Sequence, residues 1–167
     1  MRSGQTESLE EGFRVRIAVT VRNVARIACA VVMLAASVFA AVDPVNKSFT
    51  GTALKGYDAV AYFKEGRPIR GRDEFRYDWM GAKWYFANAE NRDEFARDPG
   101  KYAPQYGGYC SWAVSRGYTA NIDPEAWKIV DGKLYLNYNK DVQKTWEADV
   151  PGNIAKADES WPRLIKP

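Results

Sequence analysis

The sequence predicts a small α+β domain, with short antiparallel strands and hairpins and short helices packed on one side. Three observations carry this. Two stretches alternate apolar and polar residues on either side of a tight turn: Phe75–Trp79 with Lys83–Phe86, and Trp127–Val130 with Lys133–Tyr138. Each is followed by an asparagine placed to cap a helix, Asn88 in one case and Asn139 in the other. The chain also holds 6 Trp, 10 Tyr and 7 Phe, enough large rings to build a substantial core without disulfides. Elements of this size pack as a hairpin layer covered by helices.

In chain order, residues 41–56 read as a polar lead-in and 57–162 as the domain with a C-terminal extension. Ala59-Val60-Ala61-Tyr62-Phe63 is a short apolar run between Asp58 and Glu65-Gly66, and reads as a buried strand or extended segment. Met80-Gly81-Ala82 turns the first hairpin. Asn88 then caps a helix over 89–97, with Glu90 in the first turn where the helix dipole favours it and Phe95 facing the sheet. Pro99-Gly100 ends that helix. A second short helix fits 109–116, stopped by Gly117. Asp131-Gly132 is the strongest turn signal in the chain. Asn139 caps a helix over 140–149, and Pro151 stops it and opens a last helix toward Trp161. No internal repeat, low-complexity tract or long linker is evident.

The first 40 residues read as a secretory signal peptide. Arg14, Arg16, Arg22 and Arg26 precede an apolar run from Ile27 to Val42, and Val38-Phe39-Ala40 before Ala41 offers a small-residue exit. The run is shorter than the about 20 residues a spanning helix needs. An uncleaved anchor is the competing reading. Cys29 lies inside the run rather than after it, which argues against a lipid anchor. Cleavage near Ala40 predicts an exported, periplasmic protein with no stable membrane insertion. The same cleavage removes Arg2 and the four arginines together with Glu7, Glu10 and Glu11, so the basic balance of the whole chain belongs mostly to the leader. A near-neutral mature chain offers no electrostatic case for nucleic acid.

Without histidine, no Ser-His-Asp set can form. Gly107-Gly108 lacks the spacing and the lysine of a phosphate-binding loop. The candidate for chemistry is Cys110, the one cysteine left in the mature chain. At a helix start after two glycines, backbone N–H groups would favour its thiolate, and an external thiol or redox partner would have to reset it. The alternative is a small buried residue. Tyr106, Tyr109 and Trp112, with Tyr102 and Tyr118, form an aromatic neighbourhood that either lines a ligand pocket or fills a core. No cofactor is required by the sequence. A soft metal ion would find only Cys110 and Met80 in one mature chain, so it fits only if shared between chains. Asp58 and Asp123 read as turn or cap residues. Asp73-Glu74 and Asp93-Glu94 read as solvated surface, since adjacent residues do not share a face.

From Tyr57 to Tyr102 the chain resembles the YHS domain family. Asp58-Ala59-Val60-Ala61 stands where the family has Asp-Pro-Val and a cysteine. Tyr77, Gly81, Tyr85-Phe86, Phe95, Pro99 and Tyr102 match its scaffold. Ala61, Ala87 and Asn91 stand at the family's cysteine positions, so no metal is expected there. The segment onward through Gly108-Tyr109-Cys110 to Trp161-Pro162 resembles an exported single-domain branch. Some members of that branch are reported as selenoproteins, with the selenocysteine at the Cys110 position. The resemblance implies thiol-based redox or thiol-dependent binding. The alternatives are a non-enzymatic module that binds a metal or small ligand for delivery or sensing, and a structural or interaction domain.

Overall fold

A computed structural model describes residues 41–166. The signal-peptide reading of residues 1–40, with Cys29 and the cleavage point after Ala40, lies outside the described residues. The described chain is a mixed α+β domain containing two separate two-stranded antiparallel sheets. After a 3-10 turn at Leu54–Gly56 come α1 (Ala61–Lys64), β1 (Arg72–Trp79), β2 (Ala82–Phe86), α2 (Ala89–Arg97) and α3 (Pro99–Tyr102). A second 3-10 turn at Gln105–Gly108 leads to α4 (Ser111–Val114), β3 (Asp123–Val130), β4 (Lys133–Asn137), α5 (Lys140–Glu147) and α6 (Val150–Leu164). Among these helices none is long and apolar enough to cross a membrane.

Local chemistry explains most boundaries. Asn88 Oδ1 accepts from Asn91 N–H at 2.8 Å and Asn139 Oδ1 accepts from Val142 N–H at 2.8 Å, so each cap satisfies an orphan donor of the first turn. Phe95 on α2 does face the first hairpin, with its ring 5.0 Å from Trp84 and 5.1 Å from Phe86. Three expectations need correction. Ala59–Phe63 is no strand: Asp58 accepts from the Val60 and Ala61 N–H groups and starts the helical turn α1 instead. Pro99 does not simply end a helix. Its missing N–H suits a first helical position, and α3 begins there under an Asp98 cap. The helix expected over 109–116 shrinks to Ser111–Val114. The lead-in is also part of the packed domain: Val45, Ala53 and Leu54 are buried, and Val42 N–H donates to Leu164 O at 2.9 Å.

The largest departure from the sequence reading is that the domain is built from one unit used twice. Strands of 8 and 5 residues recur, and so do an Asn cap, a helix, an Asp cap and a further helix. The shift between them is constant at 51 positions: 72 to 123, 80 to 131, 88 to 139 and 98 to 149. The two hairpin turns share positive φ at both residues, Met80 and Gly81 against Asp131 and Gly132. Each hairpin has its register break at the same place, between Arg72 and Arg76 and between Asp123 and Trp127. Gly66 and Gly117, also 51 apart, both have positive φ. Phe95 and Trp146, again 51 apart, are each fully buried at the heart of their own cluster. Sequence alone hid the repeat because the equivalent core positions differ in type, as with Phe95 and Trp146 or Phe86 and Asn137. What persists is caps and turns.

Candidate functional site

Asp58 is fully buried and carries a complete set of partners. Its Oδ1 accepts from Val60 N–H at 2.8 Å and Ala61 N–H at 3.1 Å. Its Oδ2 accepts from Ala87 N–H at 2.9 Å and from Asn91 Nδ2 at 2.7 Å. Ala61, Ala87 and Asn91 therefore come together in space around the Asp58 carboxylate. Among the described residues no group of three His, Cys, Asp or Glu side chains is gathered to hold a metal ion. Asp123 plays the turn role, with Oδ1 accepting from Glu125 N–H at 3.0 Å.

Cys110 is 1% exposed and reduced. It occupies the start of α4, and its backbone forms a parallel bridge to Leu136 on β4. Burial pushes the thiol pKa up; the N–H groups of Ala113, Tyr138 and Trp112 pull the other way and do not cancel it. The helix-dipole argument for a thiolate fails here, because four residues make too short a helix to have a macrodipole. Whatever charge stabilisation exists comes from individual N–H groups. The thiol itself points at the fully buried Asn137, with Sγ 3.8 Å from Oδ1, and the same oxygen accepts from Trp112 N–H at 3.2 Å. That pairing fixes which end of the carboxamide is which, since a backbone N–H needs an acceptor.

Among the described residues four buried polar side-chain atoms have no partner, Ser111 Oγ, Trp112 Nε1, Asn137 Nδ2 and Trp146 Nε1, and one of them belongs to Asn137, the side chain that the thiol meets. Such a group costs about 1–3 kcal/mol when buried unpaired, so the unpaired amide on the one side chain that meets the sulfur calls for an explanation. Sequence reasoning missed Asn137, which reads as an ordinary strand residue before a turn. Its inward register opposite Asp123 is visible only once β4 pairs with β3.

The other aromatic candidates separate. Tyr106 is buried and donates from its hydroxyl to Asp158 at 2.9 Å; burial, and then Asp158, push its pKa up. Tyr109 packs on Trp161 at 5.9 Å between ring centres. Trp112 lies edge-on to Tyr118 and beneath the Arg116 guanidinium. None of the three lines the apolar cleft nearby. That cleft, of about 150 Å³, is walled by Trp79, Met80, Trp84, Pro104, Trp161 and Ile165, with Pro44, Val45, Ala103 and Gly107 completing it. A Cβ on Gly107 would collide with the Pro44 carbonyl, so only glycine lets the lead-in close this cleft. Glu94 accepts from Lys64 Nζ at 2.9 Å and from the Tyr102 hydroxyl at 2.9 Å, which together hold its pKa down.

Comparison with known families places a YHS domain in the chain, its family model matching residues 60–106. The match covers the Asp58-centred unit from just after the carboxylate and stops before Cys110. No curated protein and no solved structure gives a significant match to the chain.

Proposed function

We propose that this YHS-domain protein is exported after loss of residues 1–40 and acts through a guarded, redox-responsive thiol at Cys110. The observation that carries the reading is the donor-rich setting of the sulfur. Backbone N–H groups of Ala113, Tyr138 and Trp112 favour the thiolate against burial, and the side chain that the thiol meets, Asn137, is fully buried with its amide nitrogen unpaired. An inert core cysteine needs none of these. Burial and the raised pKa make the thiol slow toward casual electrophiles, which suits a sensor better than a turnover catalyst. A small peroxide would oxidise it to the sulfenic acid; one external thiol would condense with that state to a mixed disulfide and water, and a second would free Cys110 and leave as the external disulfide. The test is the alkylation rate of Cys110 against pH, with metal content assayed alongside, followed by sulfenic-acid trapping after peroxide. Expected are slow alkylation of the folded protein, trapping of wild type and no trapping of Cys110→Ser. Trapping seen only at the rate of global unfolding would reduce Cys110 to a structural residue.

A second reading, binding of a small ligand, is favoured by the apolar cleft. Its volume matches a cavity that holds a single benzene-sized ring, and its walls carry no charged side chain. Toluene should shift the indole N–H resonances of Trp79, Trp84 and Trp161 saturably if this reading holds. Unchanged resonances at toluene saturation would remove it.

A further inference from the structure

The two units place Asp58 and Cys110 at equivalent points. Gly56-Tyr57-Asp58 aligns with Gly108-Tyr109-Cys110 at a spacing of 52, one more than the 51 that holds from Gly66 onward, and each segment leads into a four-residue helix: Asp58 lies three residues before the first residue of α1, Cys110 immediately before α4. Asp58 N–H donates to Ile69 O at 2.8 Å, and Cys110 N–H donates to Ala120 O at 3.0 Å. The donors correspond as well. Val60, Ala61 and Ala87 give their N–H groups to the Asp58 carboxylate, and Trp112, Ala113 and Tyr138 are their counterparts around the Cys110 sulfur. A carboxylate has two oxygens to meet this set, whereas a thiol has one sulfur and is too short. That shortfall explains why Trp112 N–H turns to Asn137 Oδ1 and why Asn137 Nδ2, fully buried, is left without an acceptor.

We propose that the Cys110 position is an oxidation site built for the sulfinate, a two-oxygen anion with the shape and charge of the Asp58 carboxylate. This inference rests on the thiol reading above. A hydroperoxide converts the thiol to the sulfenic acid, its O–O bond breaking as one oxygen goes to sulfur and the other leaves as water or alcohol. A second hydroperoxide adds the second oxygen in the same way, and the sulfinic acid gives up its proton to solvent. By the Asp58 pattern, one oxygen takes the Trp112 and Ala113 N–H groups. The other takes the Tyr138 N–H; Val142 stands where the Asn91 amide would be, so the fourth donor is instead the stranded Asn137 Nδ2, brought round by rotation of the carboxamide that turns its Oδ1 to Sγ in the reduced state. The second oxidation is one-way for free thiols as reductants, so the protein keeps a record of peroxide that outlasts a passing exposure.

Two experiments on the full chain test this. The first compares Cys110→Asp with the nearly isosteric Cys110→Asn. The carboxylate variant should fold and melt above the carboxamide variant, because donors outnumber acceptors in the cradle: the N–H groups of Trp112, Ala113 and Tyr138 against the single Asn137 Oδ1. An equal or lower melting temperature for Cys110→Asp overturns the equivalence, whatever the redox behaviour. The second follows wild type with excess hydrogen peroxide by intact mass and peptide mapping. Sulfinate at Cys110 should be the main stable product in the folded protein, and it should form at least fivefold more slowly in Asn137→Leu. If the folded protein stops at the sulfenic acid or at a mixed disulfide, the cradle inference fails while the thiol reading stands. If Cys110 is not oxidised at all without unfolding, both fail.

Discussion

The two units have the same turns, the same caps and the same register breaks, yet one is centred on a carboxylate and the other on a thiol. Around Asp58 every donor has an acceptor at hydrogen-bonding distance. Beside Cys110 the same fold leaves the fully buried Asn137 Nδ2 unpaired. Backbone geometry therefore does not decide where unmet hydrogen-bonding capacity collects. The side chain at one position does, by supplying two oxygens or one sulfur. The unit that the YHS family model matches is the satisfied one, and the unit with chemistry to spare is the other.

The sharpest way to break this comparison is to remove both centres. Asp58→Ala leaves three backbone N–H groups and the Asn91 amide without an acceptor inside the core, and should cost at least about 3 kcal/mol. Cys110→Ala removes one weakly bonded sulfur and should cost only about 1–2 kcal/mol. Urea denaturation of both variants against wild type measures the gap. Equal costs would mean that the thiol is as integral to its unit as the carboxylate is, and the contrast between the two centres would be lost.

A gentler pair asks whether the repeat extends to energetics. Asn88 and Asn139 make the same 2.8 Å cap bond 51 positions apart. Alanine at either should cost about 1 kcal/mol, and the two costs should agree within about 0.5 kcal/mol. A large difference would show that one helix is held by packing rather than by its cap, so that the units share geometry without sharing the forces behind it.

Much of this fold was legible in the sequence where the signal is local. Asp131-Gly132, Asn88, Asn139 and Pro151 act on their own neighbours, and their elements stand within a few residues of expectation. Ala59–Phe63 was misread because its helical turn depends on a carboxylate whose other oxygen is occupied by Ala87 and Asn91, some 30 positions later. The repeat was hidden for a related reason: its invariant features are φ values and cap bonds, which many residue types can supply. Cys110 was legible as the candidate because it is the only thiol of the described chain. Its cradle was not, since Asn137 and Tyr138 reach it only through the parallel bridge between Cys110 and Leu136.

The smallest effect is also the most direct reading of the contest around the sulfur. Burial raises the folded-state thiol pKa and the three N–H groups oppose it, with burial ahead. A thiol whose pKa is raised on folding keeps its proton in the native state after the unfolded chain has lost it, at about pH 8.5. The unfolded state then binds fewer protons, so stability must fall as pH rises from that point until the folded thiol also ionises. Cys110→Ala has no such group. The stability advantage of wild type over the variant should therefore be constant from pH 6 to 8 and shrink between about pH 8.5 and 10, below the range where the tyrosines titrate. If it grows instead, the N–H groups outweigh burial, the native thiol ionises before the unfolded one, and Cys110 is an activated thiolate rather than a guarded thiol.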